Sequence, residues 1–212
     1  MTLTVEVWSD LACPWCYVGR RRLEEAVRRF DGEIELRRRA FELDPQAPES
    51  VGDDFSYVER LRRKYGASTV QAEGMIRTMT EAGAAEGLEL RFDLARPGNT
   101  LHAHRLIRLA GEHEVDHAME ERLFRAYLTE GVSIGMRDEL ERLAAEVGLP
   151  GAEVTELLEG SRFTAEVRED EAQARALGVS GVPFFHIEGR EGLGGAQPAE
   201  TLLQAFQAAS RS

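Results

Sequence analysis

Residues 3–19 read LTVEVWSDLACPWCYVG, and they set the architecture of the chain. The first seven alternate apolar and polar side chains, a pattern typical of a β-strand with one buried face. After a short turn come two cysteines separated by two residues, Cys13 and Cys16. Apolar residues then recur at i, i+3, i+4 and i+7 over residues 23–30, as on one face of a helix. The sequence therefore predicts a strand, a turn and a helix, with the cysteine pair at the start of the helix.

The rest of the chain predicts two strand-bearing ends that flank a helical middle. Residues 33–37 alternate again and indicate a second strand, and the proline-rich, acidic residues 44–54 indicate a connector. Periodicity predicts helices over 55–65, 69–86, 100–113, 115–130, 138–147, 151–159 and 162–177, with Gly178 suited to cap the last of them.

The C-terminal residues return to a strand pattern before a last helix. Residues 182–187 and 192–196 predict two strands joined by a turn at 188–190. Residues 199–209 predict an amphipathic helix with Pro198 at its first position. The order β-α-β, helices, β-β-α predicts an α/β protein in three stretches: residues 1–45, a helical insertion over 46–160, and residues 161–212.

Composition narrows the classes of partner. The formal net charge of -12 on 212 residues favours a surface that repels phosphate backbones, so we expect no nucleic acid partner. Glu6 and Asp10 interrupt the region where a secretory signal needs its apolar run, and no stretch approaches the ~20 apolar residues of a membrane span. We therefore expect a cytoplasmic protein with no membrane partner. In a reducing compartment, a lone pair of cysteines is more often catalytic or metal-binding than structural.

The cysteine spacing favours redox chemistry. A thiol at a helix N-terminus meets unpaired N–H groups and the positive end of the helix dipole, which favour the thiolate. Cys13 would attack a disulfide, and Cys16, one turn later, would resolve the mixed disulfide. A zinc site needs two further ligands, and the five histidines lack the usual spacing, so no metal is expected. We expect no bound cofactor, because the Cys13–Cys16 disulfide would itself carry the electrons. Glutathione is a candidate co-substrate.

Other residues are weaker candidates. Pro14 and Trp15 lie between the cysteines and are expected to contact substrate. His104, at the edge of an apolar helix stripe, either assists a thiolate or is a satisfied histidine. Asn99 either binds substrate or caps the helix that begins near Thr100. The arginine runs at 20–22 and 37–39 are interpreted as solvated faces.

The β-α-β start with the cysteine pair at its first helix, and the β-β-α end that opens on Val182-Pro183, resemble the thioredoxin superfamily. More specific motifs are SD (9–10), CPWCYVG (13–19), NT (99–100), AHRL (103–106), GV (178–179) and GVPFF (181–185). The helical insertion places the resemblance in the DsbA-like branch, and the motifs place it in the FrnE-type subgroup of dithiol–disulfide oxidoreductases or isomerases. The resemblance implies that Cys13 is the nucleophile and Cys16 the resolving thiol. It also implies a cis Pro183 beside the disulfide, and a Val182 backbone that pairs with a bound peptide strand. We therefore expect disulfide-containing proteins or small molecules as substrates and a cellular thiol as reductant.

Two alternatives remain open at this point. Glutathione-dependent isomerases of the 2-hydroxychromene-2-carboxylate type and kappa-class transferases share this fold, but typically have serine where Cys13 stands and lack the second thiol. The other alternative is a binding module whose cysteine pair holds a metal or a structural disulfide.

Overall fold

A computed structural model describes residues 2–52, 54–188 and 192–211. Its elements, in chain order, are β1 (Thr2–Ser9), α1 (Pro14–Arg29), β2 (Glu33–Ala40), α2 (Tyr57–Tyr65), α3 (Thr69–Ala85), α4 (Leu101–Glu112), α5 (Asp116–Leu128), α6 (Arg137–Glu146), α7 (Gly151–Glu159), α8 (Thr164–Ala176), β3 (Phe184–Ile187), β4 (Leu193–Gly194) and α9 (Ala199–Ala209). This order confirms the predicted β-α-β, helices, β-β-α. The turn expected at 188–190 falls mainly on residues 189 and 190, outside the described residues.

The chain divides into two compact units. The first joins Met1–Leu43 to Ala165–Ser212 and contains the strands; we call it the sheet unit. The second, Asp44–Thr164, contains α2 to α7 and is called the helical unit.

A four-stranded mixed sheet organises the sheet unit, in the order β2-β1-β3-β4. β1 runs parallel to β2 and antiparallel to β3, and β3 runs antiparallel to β4. Alternation along β1 sends Val5 toward α1 and α9, where it packs in a cluster with Leu23, Phe185 and Phe206. The fully buried Trp8 packs instead with Ala174 and Val179, at the C-terminal end of α8. The sheet is therefore covered on both faces.

Several helix ends are closed by capping residues. Ser56 and Ser68 cap α2 and α3, and Ser68 forms a capping box with Gln71. Gly178 has a φ of 72° after the last turn of α8, and the Val179 N–H donates to the Ala174 carbonyl at 2.9 Å. The predicted glycine stop of α8 is therefore confirmed.

Two sequence-based interpretations are corrected. Pro198 is the N-cap of α9, so its place at the first helical position was wrong by one residue. The arginine runs were interpreted as solvated, and this is wrong for Arg20, which is buried and has its Nη2 3.2 Å from Glu24 Oε1. It is wrong again for Arg39, whose guanidinium bridges Glu6 at 2.6 Å and the buried Asp170 at 3.0 Å.

The ionisation of these groups follows from that bridge. Burial alone would lower the pKa of Arg39, but the hydrogen bonds and charges of Glu6 and Asp170 raise it above its ordinary value. Burial alone would raise the pKa of Glu6, but Arg39, together with His186, lowers it. The cause is the packing of α8 against β2, which encloses one arginine of the run between carboxylates.

Candidate active site

Cys13 lies at the junction between the strand and the helix. β1 ends at Ser9, the Cys13 N–H donates to the Asp10 carbonyl at 3.0 Å, and Cys13 is the N-cap of α1. Its extended backbone, with φ -101° and ψ 112°, is usual for an N-cap. The first turn of α1 contains Pro14 and no acid, and the Cys13 side chain makes no capping hydrogen bond to it. Cys13 is therefore the residue at which the helix begins.

The two cysteines are free thiols in different surroundings. Cys13 is 6% exposed, and its thiol donates to the Val182 carbonyl, with 3.5 Å between sulfur and oxygen. Cys16 is 2% exposed, and its sulfur accepts from the Asp10 N–H at 3.5 Å. Burial raises the pKa of the Cys16 thiol well above its ordinary value, and the neighbouring Cys13 raises it further through a hydrogen bond and its charge. Cys16 is thus held in the protonated form.

The segment before β3 completes the site. The Val182–Pro183 peptide bond is cis, which confirms the geometry expected for Pro183. Pro183 packs closely on α1, because a Cβ added at Gly19 would lie 2.9 Å from Pro183 Cγ. Only a residue without a side chain allows this approach. The structure therefore brings Pro14, Trp15, Val182 and Pro183 together with the two thiols.

Asp10 was missed as a site residue. Sequence reasoning treated it as part of a turn, whereas its carboxylate is buried and bonded to both Ala12 and Leu43. The signal that could have found it is an acid placed three residues before the first cysteine, between a strand and a helix.

Asn99 and His104 belong to the helical unit. The N-cap of α4 is Thr100, and the side-chain oxygen of Asn99, one residue earlier, accepts from the Leu101 N–H at 3.0 Å and so caps the first turn. Its amide donates to the Pro45 carbonyl at 3.2 Å. His104 is buried on α4. A role for either residue in substrate binding stays a prediction.

The described residues contain neither a metal-binding cluster nor a membrane-spanning helix. Across residues 2–52, 54–188 and 192–211, no three or more His, Cys, Asp or Glu side chains are grouped so as to hold a metal ion. Among the helices of the described residues, none is long and apolar enough to cross a membrane.

Known proteins resemble the chain over nearly its whole length. Residues 4–207 match the family described as the DSBA-like thioredoxin domain. The uncharacterized protein YwbO of Bacillus subtilis (strain 168) is 32% identical over 189 residues, 88% of each chain. The crystal structure of a probable DsbA oxidoreductase from Streptomyces coelicolor is 38% identical with a TM-score of 0.92, covering 99% of this chain and 91% of the other.

A more distant solved structure shares the fold alone. The cytosolic disulfide reductase DsbM of Pseudomonas aeruginosa is 20% identical with a TM-score of 0.66, covering 99% of this chain and 96% of that one. DsbM has also been solved with GSH, and that structure gives a TM-score of 0.59 at 22% identity.

Proposed function

The chain belongs to the DSBA-like thioredoxin family, and on that premise we propose that it is a thiol–disulfide oxidoreductase with Cys13 as nucleophile and Cys16 as resolving thiol. The observation that carries the proposal is the contrast between the two thiols. Both thiols are buried, but Cys13 is the N-cap of α1 and its thiol faces the Val182 carbonyl, whereas Cys16 lies within the helix and has a raised pKa. Family membership supports disulfide chemistry; the assignment of the two roles rests on this contrast.

The first step uses the helix terminus. Cys13 gives up its proton, and the thiolate attacks one sulfur of a substrate disulfide. A new S–S bond joins Cys13 to the substrate, and the other substrate sulfur leaves as a thiolate that takes up a proton. Cys13 is the N-cap of α1, so the attacking sulfur belongs to the residue at which the helix begins.

The second step uses the buried thiol. Cys16 loses its proton and attacks Cys13 Sγ, the Cys13–substrate bond breaks, and the substrate leaves as a second thiol. The substrate is thereby reduced by two electrons, and the pair is oxidised to a disulfide. The raised pKa keeps Cys16 protonated while Cys13 acts, so the two thiols do not compete for the first attack.

The loop before β3 is the proposed substrate platform. The Val182 carbonyl oxygen lies 3.5 Å from Cys13 Sγ, and the next residue, Pro183, has no N–H and packs on Gly19 of α1. An extended peptide could pair with the Val182 backbone in the manner of an added strand. Pro14 and Trp15, beside the sulfurs, would supply apolar contact, and we propose Asn99 and His104 as further contacts to be tested.

The cycle needs a reductant and a compartment. We propose that a cellular thiol, with glutathione as the first candidate, reduces the Cys13–Cys16 disulfide, and that the protein acts in the cytoplasm on protein or small-molecule disulfides. The fold shared with a cytosolic reductase solved with GSH supports this choice. The same cycle run on misplaced disulfides would amount to isomerase activity. No resident cofactor enters the proposal.

The test compares two single variants, Cys13→Ser and Cys16→Ser. We expect Cys13→Ser to be inactive in insulin reduction, with turnover lowered at least 1000-fold, because no nucleophile remains. We expect Cys16→Ser to accumulate mixed disulfides on Cys13, visible as mass adducts that dithiothreitol removes. Thr78→Ser, an exposed change on α3, is the control and should behave as wild type.

Full insulin reduction by either cysteine variant would overturn the assignment. Conversion of a chromene carboxylate, or conjugation of glutathione, that survives in Cys16→Ser would favour the glutathione-dependent isomerase or transferase instead.

A further inference from the structure

Asp10 has a buried carboxylate that bonds in two directions. The residue is 1% exposed. Its Oδ1 accepts from the Ala12 N–H at 3.1 Å, within the turn that leads to Cys13. Its Oδ2 accepts from the Leu43 N–H at 2.7 Å, three residues beyond the end of β2. A buried acid at the end of a strand therefore joins two segments that lie 33 residues apart in sequence.

The bond to Leu43 continues the hydrogen-bond ladder between β1 and β2. The Phe41 N–H donates to the Ser9 carbonyl at 3.0 Å, which is the last carbonyl of β1. If the ladder continued, the Leu43 N–H would bond to a main-chain carbonyl beyond Ser9. The segment after Ser9 has already turned toward Cys13, so no such carbonyl lies in line with β1. Asp10 Oδ2 supplies an oxygen in its place. The carboxylate thus closes the ladder where the main chain leaves it.

The same residue also contacts both cysteines through its main chain. Its carbonyl accepts from the Cys13 N–H at 3.0 Å, and its N–H donates to Cys16 Sγ at 3.5 Å. Any shift of Asp10 relative to the sheet would therefore move the turn that carries Cys13 and the donor that faces Cys16.

We propose that Asp10 is a positioning residue of the redox centre, which fixes the turn at residues 10–13 to the end of β2 and so sets how readily Cys16 closes the disulfide. The effect of Asp10 on disulfide closure stands by itself, and its importance for catalysis rests on the proposed function. Closing the ring is an intramolecular reaction, and its advantage over attack by a free thiol depends on how well the two sulfurs are held. A loosened turn lowers that advantage.

The step affected is the resolution of a mixed disulfide with glutathione. Cys16 gives up its proton and attacks Cys13 Sγ, the bond between Cys13 and glutathione breaks, and glutathione leaves as a thiolate that takes the proton. The pair is oxidised and glutathione is reduced. Over the whole reaction, the reduced protein and one oxidised glutathione give the oxidised protein and two reduced glutathiones. The equilibrium constant of this reaction depends on how well Asp10 holds the turn.

The experiment measures that equilibrium in Asp10→Asn. Asparagine can accept from Ala12 or from Leu43 but has only one oxygen, so one of the two bonds is lost. We expect the equilibrium constant for forming the protein disulfide to fall about tenfold, which corresponds to a reduction potential about 30 mV higher. We also expect more of the glutathione mixed disulfide when the reaction is quenched with acid and analysed by mass spectrometry.

Asp170→Asn is the matched control. Asp170 is equally buried at 1% exposure, and its Oδ2 accepts from the Ala40 N–H at 2.9 Å, on the same strand. It lies outside the turn that carries Cys13. Its replacement should lower thermal stability and leave the glutathione equilibrium within twofold of wild type. A merely structural role for Asp10 would make the two variants alike.

The outcomes separate this inference from the proposed function. An Asp10→Asn equilibrium within twofold of wild type, or an equal shift in Asp170→Asn, would overturn the role of Asp10. If Asp10→Asn does not fold, Asp10→Ser, whose hydroxyl can still accept from Ala12, is measured in the same way. The equilibrium needs glutathione alone, so wild-type failure to reduce insulin would count against the proposed function and not against Asp10.

Discussion

The N-termini of α1 and α3 differ in what closes them. At α3, Ser68 and Gln71 form a capping box, with the Gln71 side chain accepting from the Ser68 N–H at 2.8 Å. At α1, the N-cap is Cys13, whose side chain makes no capping hydrogen bond to the first turn. A closed terminus satisfies its N–H groups within the protein, whereas an open one leaves them for a thiolate or a substrate. The capping box stabilises the start of α3, whereas the start of α1 holds a thiol in place of a capping side chain.

The helical unit also closes a C-terminus with a side chain. Arg105 of α4 is 1% exposed, and its guanidinium donates to the carbonyls of Leu157, Gly160 and Arg162 around the end of α7. Its fourth contact is His102 Nδ1 at 2.8 Å. Burial lowers the pKa of Arg105 from its ordinary value. The pKa of Arg39 is raised instead, because Glu6 and Asp170 lie against its guanidinium.

Among changes at closed and open helix ends, Arg105→Met is expected to have the largest effect, a loss of folding stability. The change removes the donor from three carbonyls at a closed helix end, and each buried acceptor left without a partner costs about 1–3 kcal/mol. We expect the free energy of unfolding to fall by about 3 kcal/mol in urea denaturation, since methionine preserves part of the packing. The exposed Arg77→Met on α3 is the control and should stay within about 0.5 kcal/mol of wild type. A loss below about 1 kcal/mol would show that these carbonyls find other donors.

A smaller effect is expected when the open terminus is probed by alkylation. In the reduced protein at pH 7, iodoacetamide should modify Cys13 at least tenfold faster than Cys16, a difference of about 1.4 kcal/mol in barrier. The raised pKa of Cys16 keeps it protonated at pH 7, and its modification should accelerate only as the pH rises into the alkaline range. Mass spectrometry of the modified peptides measures both rates.

Cys13→Ser is the control for the alkylation experiment. It removes the neighbouring sulfur that adds to the raised pKa of Cys16 but leaves the burial that is its main cause. Cys16 should therefore still react slowly in this variant. Equal rates for the two cysteines in the wild-type protein would show that the helix terminus does not distinguish them.

The sequence predicted what depends on local spacing. The helix expected over 69–86 is Thr69–Ala85, because its periodicity is contained within one segment. The cysteine pair was placed at the strand-to-helix junction for the same reason, and the structure has it there. Local signals thus sufficed for the element order and for the centre of the candidate site.

Contacts between distant segments were beyond those signals. The bond between Asp10 and Leu43 joins two strand ends, and only the parallel register of β1 and β2 brings them together. Arg39 was interpreted as solvated because its partner Asp170 is 131 residues away. In both cases the sequence shows an ordinary acid or base, and only the packed fold shows that it is enclosed.

The smallest effect concerns the cap at the start of α4. Asn99→Ala removes the acceptor for the Leu101 N–H and the donor to the Pro45 carbonyl, and the loss of such a cap costs about 1 kcal/mol. Asn99→Asp keeps the acceptor and loses the donor, so thermal unfolding should rank it between wild type and Asn99→Ala. If Asn99 is only a cap, both variants should reduce insulin with the wild-type KM. A tenfold higher KM in Asn99→Asp, with the stability of the wild type, would instead make Asn99 a substrate ligand.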